Sequence, residues 1–314
     1  VAKQSGLGAR FLVGGYDLSG DVQALDTIGG TQALLDSTDI TQSAHSRIPG
    51  QRDGTMGFSV YMDTANAHPV LSALPTADVL MTFLAPPLAI GGASACLVAK
   101  QVGYDATRGA DGSLLLKTQG MGNAFGIEWG TQLTAGLRTD TAATNGTSLD
   151  QGAAFSTPSV PLTTVPVTNT SPLPATVVVS AGTGTNVAIN GVLQGTFDGT
   201  YTVLPGQTIA LTYTVAPTWT WTLQSAFGAQ AYLQVTAFAG TSVTVAVQDS
   251  ADNASFTTIT GLTFTAVTAA PAWQRLATAN NATVRRYLRV ITTGTFNPAT
   301  FAVVLDRNLS STSF

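Results

Sequence analysis

Charge is scarce in this chain. Only 10% of its 314 residues are Asp, Glu, Lys or Arg, against roughly 25% in an ordinary soluble domain. The 13 basic and 17 acidic side chains leave a net charge of −4. A single cysteine, Cys96, excludes an internal disulfide framework and any multi-cysteine metal site. Within Ala-Ser-Ala-Cys-Leu-Val it reads as a small buried residue rather than a reactive thiol. No stretch approaches the roughly 20 consecutive apolar residues that a spanning helix needs, so no membrane insertion is expected. The opening residues lack an apolar h-region, so no signal peptide is expected either. Disorder is excluded by a hydrophobic content of 44%. The surface must therefore consist largely of Thr, Ser, Asn, Gln and Gly, which suits broad protein–protein contact.

The groups that usually carry catalysis are equally few. Glu128 is the only glutamate, and His45 and His68 are the only histidines. His45 could recruit Ser43 and Asp39, but no Gly-x-Ser-x-Gly elbow accompanies it. Gly6-Leu-Gly8 is not followed by the Gly-Lys-Ser/Thr of a phosphate loop. Asp249 and Asp252 lack EF-hand spacing and read as a polar turn. Arg285, Arg286 and Arg289 are too few for a nucleic-acid face and read as a solvated or ion-paired strand edge. Trp219 and Trp221 share one face of a strand, where core packing is the default and carbohydrate stacking the second reading. No enzymatic activity, cofactor or metal is expected.

What the chain does have is β pattern, unevenly charged. No lysine or arginine lies between Arg138 and Arg275, an interval with five aspartates. That shift divides the chain into three segments, 1–156, 157–223 and 224–314. In the first, residues 57–62, 79–84 and 113–118 read as strands, with Asp111-Gly112 turning a hairpin. Residues 65–74 and 39–48 read as short helices, the second with Asp39 as its N-cap and Pro49 as its stop. The second opens with a proline-rich linker and continues as a small all-β module. Its strands are expected over residues 175–180, 186–190, 199–204, 208–215 and 219–222, with turns at Asn190-Gly191 and Pro205-Gly206. The third predicts six short strands, over 232–238, 242–248, 256–258, 263–268, 287–292 and 300–304, and hence a β-sandwich. The expected class is mainly β with one or two short helices.

Several stretches in order resemble the major tail tube proteins of long-tailed bacteriophages. Thr38-Asp-Ile-Thr-Gln-Ser-Ala-His-Ser-Arg-Ile-Pro-Gly-Gln-Arg-Asp-Gly leads into an aromatic strand ending near Asp63. Tyr16-Asp-Leu-Ser-Gly-Asp-Val, Tyr104-Asp-Ala-Thr-Arg-Gly and Gly126-Ile-Glu-Trp-Gly fit the same pattern. Gly228-Ala-Gln-Ala-Tyr-Leu, Val247-Gln-Asp-Ser-Ala-Asp and Val284-Arg-Arg-Tyr-Leu-Arg resemble the C-terminal β-domain of tail proteins from phages of actinobacterial hosts.

The resemblance implies a tail-tube β-barrel or sandwich that self-assembles into stacked hexameric rings, through whose lumen DNA passes without specific binding. Tape measure, terminator and baseplate proteins would be its further partners. Its place would be the virion tail, assembled in the host cytoplasm. Ring-to-ring contact would use a long loop, here residues 31–55, and a terminal arm up to Phe11. Asp39, Arg47, Arg52 and Asp53 would be the charged residues fixing the register. Residues 157–223 depart from the basic pattern and are expected to project outside the tube. The competing reading is a tail or adhesin protein that binds host-surface glycan, with Trp219, Trp221 and Trp273 as stacking platforms. A secreted surface-layer component stands behind both.

Overall fold

A computed structural model of the chain describes residues 5–73, 77–152 and 154–310. The mainly β expectation holds, and the one helix among these residues is Ala67–Leu71. It lies inside the expected 65–74 span, of which Leu74 falls outside the described residues. Pro69 sits in its first turn, where the missing N–H would have no intrahelical partner anyway.

The first layer is built from strands Arg10–Val13, Val79–Leu84 and the first half of Ala93–Arg108, all antiparallel. These strands are apolar on both faces because both faces are covered. Leu12, Leu80, Leu84, Cys96 and Val98 face Tyr232 and Val304 from the C-terminal part of the chain. Phe11, Val13, Met81, Leu97 and Ala99 face a second layer. That layer is a four-stranded sheet. The long strand Ala93–Arg108 leaves the first layer at Ala99 and shifts register between Gln101 and Gly103. It then pairs with Leu114–Gly122 across the Asp111-Gly112 turn, where Gly112 supplies a φ of +92°. Thr55–Tyr61 and Val22–Gly29 complete the sheet.

One face of this sheet buries Met56, Phe58, Val60 and Leu116. Along the strands these alternate with Ser59, Lys117 and Gln119 on the opposite face, which also carries Asp105. Strand Val22–Gly29 and residues 101–108 each pair on one side only among the described residues.

The C-terminal segment differs from the six short strands expected. Ala229–Ser250 and Tyr287–Arg307 pair along their whole lengths as one antiparallel ribbon of 22 and 21 residues. Three register shifts between Val235 and Ser242 bend it, and the ribbon folds over on itself. Ala231, Leu233 and Val235 from one half and Val243, Val245 and Val247 from the other then share one core with Leu288, Val290 and Phe301. Gly240 (φ +137°) and Gly294 (φ +114°) stand at the corner, where a Cβ would collide with the backbone of the facing strand. The break in hydrophobic pattern that suggests separate strands is this bend.

Glu128–Gln132 pairs with Ala93–Arg108 on one side and with Tyr287–Arg307 on the other. Arg138–Asp140, Thr144–Asn145 and Leu149–Asp150 continue along the same C-terminal strand. Sheet pairing thus runs from the first segment of the chain into the last.

Residues 157–223 contribute two small sheets around their own core of Val177, Val179, Val187, Leu211, Trp219 and Trp221. Gly199–Val203, Ala175–Ser180 and Thr218–Ser225 form one, with Val284–Arg285 of the C-terminal segment paired to its last strand, and Val167–Thr168, Thr208–Val215, Thr183–Ile189 and Val192–Leu193 the other. Asn190 and Gly191 both take positive φ, as a two-residue hairpin turn matching the strand twist requires.

Candidate functional site

One element is left out of every layer. Gln32–Asp36 and Arg47–Arg52 form a two-stranded arm that, among the described residues, pairs with no other strand. Every residue from 31 to 49 except Ser46 is exposed. Leu35 lies opposite Ile48, Leu34 opposite Pro49 and Asp36 opposite Arg47. Partners across a ribbon share a face and successive residues alternate, so the arm is apolar on both faces. Leu34, Leu35 and Ile48 are 63%, 59% and 55% exposed, far above what core side chains show.

The expected helix over 39–48 does not form. Short polar side chains satisfy the backbone locally instead, which favours a turn over a helix. The Asp36 carboxylate accepts from the Thr38 amide at 2.9 Å and its hydroxyl at 2.5 Å. Asp39 caps no helix; it accepts from the Thr41 amide at 2.8 Å and hydroxyl at 2.5 Å. The Ser46 amide donates to the Thr38 hydroxyl at 2.9 Å, tying the two sides of the tip together. These hydrogen bonds, led by the Thr38 and Thr41 hydroxyls, hold Asp36 and Asp39 below the usual carboxylate range. The tip is therefore anionic at neutral pH.

Arg52 and Asp53 stand at the arm's root, around an open cleft of about 270 Å³ with Gly30, Gly126 and Trp129. The Asp53 amide donates to the Thr31 carbonyl at 2.8 Å, and its carboxylate accepts from the Gly54 amide at 2.7 Å. Asp39, Arg47, Arg52 and Asp53 thus belong to one feature, spread from tip to root. Two further residues of this region went unread in the sequence. Asp36 faces Arg47, and Trp129 is 55% exposed beside the root. The alternation Ile127, Glu128, Trp129 on a strand was the available signal for the second.

For Trp219 and Trp221 the stacking reading is corrected. Trp219 and Trp221 are only 8% and 7% exposed and form an edge-on pair 5.4 Å apart in the core of the inserted module. The Trp219 indole N–H donates to the Pro158 carbonyl at 2.8 Å. Both indoles pack in the core of that module, as the core-packing reading expects. Trp273 is partly buried against Leu12 and Tyr232 in the first-layer core.

Several charged residues of the body are bound into the fold. Arg275 pairs with Glu128 at 3.0 Å and lies 3.7 Å over the Phe125 ring. Asp306 stands near that pair, and burial together with the Glu128 charge pushes its carboxyl up to about 7. Asp150 holds Arg286 at 2.7 Å, Asp249 holds Arg285 at 3.5 Å, and Gln248 accepts from Arg289 at 2.8 Å. The His45 ring meets Asp36 at 3.1 Å rather than Ser43 and Asp39, and His68 meets the Tyr104 hydroxyl. Cys96 is buried, which raises its thiol pKa. Among the described residues no group of three His, Cys, Asp or Glu side chains is placed to hold a metal ion, and no helix is long and apolar enough to cross a membrane.

No family model matches the chain, and no curated protein matches it. Among solved structures it is similar to the Dit protein (gp 19.1) of SPP1, described as a paradigm of the hub adsorption apparatus in phages infecting Gram-positive hosts. The match has 10% identity and a TM-score of 0.27, and covers 94% of this chain and 98% of that one.

Proposed function

We propose that the chain is a structural, non-enzymatic subunit of a bacteriophage tail, and more narrowly of the tail tube. The observation that carries this is the arm, a ribbon apolar on both faces and left exposed by the described residues. An isolated two-stranded hairpin is marginally stable in water, so such an arm is completed by another molecule. The ordered sequence stretches that resemble tube proteins supply the assembly: stacked hexameric rings, with the arm reaching between rings. The four-stranded sheet suits the ring. Its two outer strands each keep an open edge, and open edges invite pairing with further copies. Its polar face, with Asp105 and Lys117 of opposite sign, would then line a lumen that does not hold phosphate. The inserted module would project outside, and tape measure, terminator and baseplate proteins would meet the ends of the tube.

Negative-stain electron microscopy of the purified protein across a concentration series tests this. Hollow tubes or stacked rings are expected. Virions whose tail mass belongs to a different protein would overturn it.

A further inference from the structure

We propose that one proton, carried by the Asp306 carboxyl and donated to Gln230 Oε1, latches the seam between the first segment of the chain and its C-terminal strands, and that losing it draws Arg275 away from Glu128. Such a latch acts within one chain and is independent of how copies assemble. A polar cluster closes one end of the core that holds Cys96, Tyr232 and Val304. Glu128 lies opposite Cys96, Arg275 opposite Tyr232, and Gln230 opposite Asp306. Gln230 stands two residues from Tyr232, and Asp306 two from Val304. All four side chains therefore share the face of that core.

Two problems in this cluster have one solution. Gln230 is 5% exposed, and among the described residues its Oε1 has no donor. A buried acceptor left unpaired is costly. Directly opposite it stands a carboxyl whose pKa is raised to about 7 by burial and the Glu128 charge, against the opposing Arg275 charge. Side chains opposite each other on paired strands have Cβ atoms about 4.5–5.5 Å apart, a span that an Asp–Gln hydrogen bond bridges. Protonated, Asp306 puts no charge in the core and supplies the O–H that Gln230 lacks. The neighbouring groups offer no substitute. The Arg275 guanidinium donates to Glu128 at 3.0 and 3.3 Å and to the Tyr232 hydroxyl at 3.1 Å. The Cys96 thiol is raised by burial and keeps its own proton. Arg307, next along the strand, stands on the opposite face and donates to the Val284 and Arg285 carbonyls.

Ionised, Asp306 becomes a second carboxylate beside Glu128 and competes for the same guanidinium. Glu128 belongs to Glu128–Gln132 and Arg275 to Ala272–Ala277, so their ion pair spans the seam. Arg275 also lies 3.7 Å over the Phe125 ring, and Gly126, Ile127 and Trp129 wall the cleft at the arm's root. Drawing the guanidinium toward Asp306 loosens this stretch. The latch is closed below neutral pH and opens above it.

Carbon-13 labelling of the aspartate carboxyls in the full chain, read by NMR from pH 5 to pH 9, tests the proton. One carboxyl should titrate near pH 7, and its signal should vanish in Asp306→Asn. An Asp306 midpoint near the ordinary value of about 4 would overturn the proposal. Gln230→Leu removes the acceptor and keeps the burial, so the midpoint should fall by about one pH unit, a tenfold loss of proton affinity. A midpoint that rises instead would mean that the Gln230 amide donates its N–H to an ionised carboxylate, and the proposal would be wrong. Glu128→Gln should lower the midpoint too, by removing a neighbouring charge and releasing Arg275. That variant decides the matter if Gln230→Leu does not fold, and an unchanged midpoint there would overturn the coupling. Hydrogen exchange of residues 125–132 then reads the latch. Asp306→Asn, whose amide donates in place of the neutral carboxyl, is the reference at each pH, so the intrinsic pH dependence of exchange cancels. The two chains should match at pH 6, and the parent should exchange several-fold faster at pH 8. Matching exchange at both pH values would overturn the latch.

Discussion

The molecule contains two antiparallel ribbons with opposite fates. The C-terminal ribbon is long enough to fold over, and its two halves bury each other's apolar face around Leu233, Val245, Val290 and Phe301. The arm has the same hydrogen-bonded pattern and comparable apolar side chains, but it is too short to turn back on itself. Backbone pairing is common to both, so it is the covering of a face that separates a core from an exposed arm. A ribbon stabilises itself where it reaches a second layer, and otherwise it takes that layer from a partner.

The sharpest way to break the comparison is to empty the folded ribbon. Phe301 is fully buried, and Phe301→Ala should cost about 3–5 kcal/mol of stability. Urea denaturation of the variant measures this, and a loss below about 1 kcal/mol would mean that the halves do not depend on each other.

The acids of the two ribbons sharpen the contrast next. On the arm Asp36 and Asp39 are lowered by exposed hydrogen bonds, whereas on the long ribbon Asp306 is raised to about 7 by burial and by Glu128. A raised carboxyl binds its proton more tightly in the folded chain than in the unfolded one. Its contribution is therefore most favourable at low pH and is lost as pH rises from about 4 through about 7. Asp306→Asn should remove that slope. The gap in unfolding free energy between variant and parent should shift in favour of the variant from pH 4 to pH 8. A gap that stays constant with pH would show that Asp306 ionises as it does in the unfolded chain.

The smallest effect on folding is expected where the effect on assembly is greatest. Leu35→Ser with Ile48→Ser changes side chains that touch no core, so the isolated chain should lose no more than about 0.5 kcal/mol. Tubes should nevertheless fail to form, as sedimentation would show. Assembly at the parent's concentration would remove the arm from the interface.

Much of the body was legible because its pattern is local. Val79–Leu84, Ala175–Ser180 and Thr208–Val215 occur at the expected residues, and Asp111-Gly112 and Asn190-Gly191 turn where glycine permits it. The arm was misread in part, since Asp39 followed by an apolar residue and a later proline satisfies the rules for a helix start and stop. Those rules do not register that Thr38 and Thr41 hydroxyls bind the acids within a turn. Trp219 and Trp221 were legible as a pair on one strand face, and period two cannot say whether that face is covered. A second sheet buries them, and its strands come from as far back in the chain as Val167.

The sequence by itself determined the β class, the turns, the buried lone thiol and the grouping of Asp39, Arg47, Arg52 and Asp53 in one stretch, because each follows from residues close together in the chain. Only the tertiary structure decided that residues 128–150 join the C-terminal strand, that four expected strands are two long ones, and which ribbon is covered. Those outcomes depend on which apolar faces meet across more than a hundred residues, and the alternation within one strand does not say which distant face will cover it.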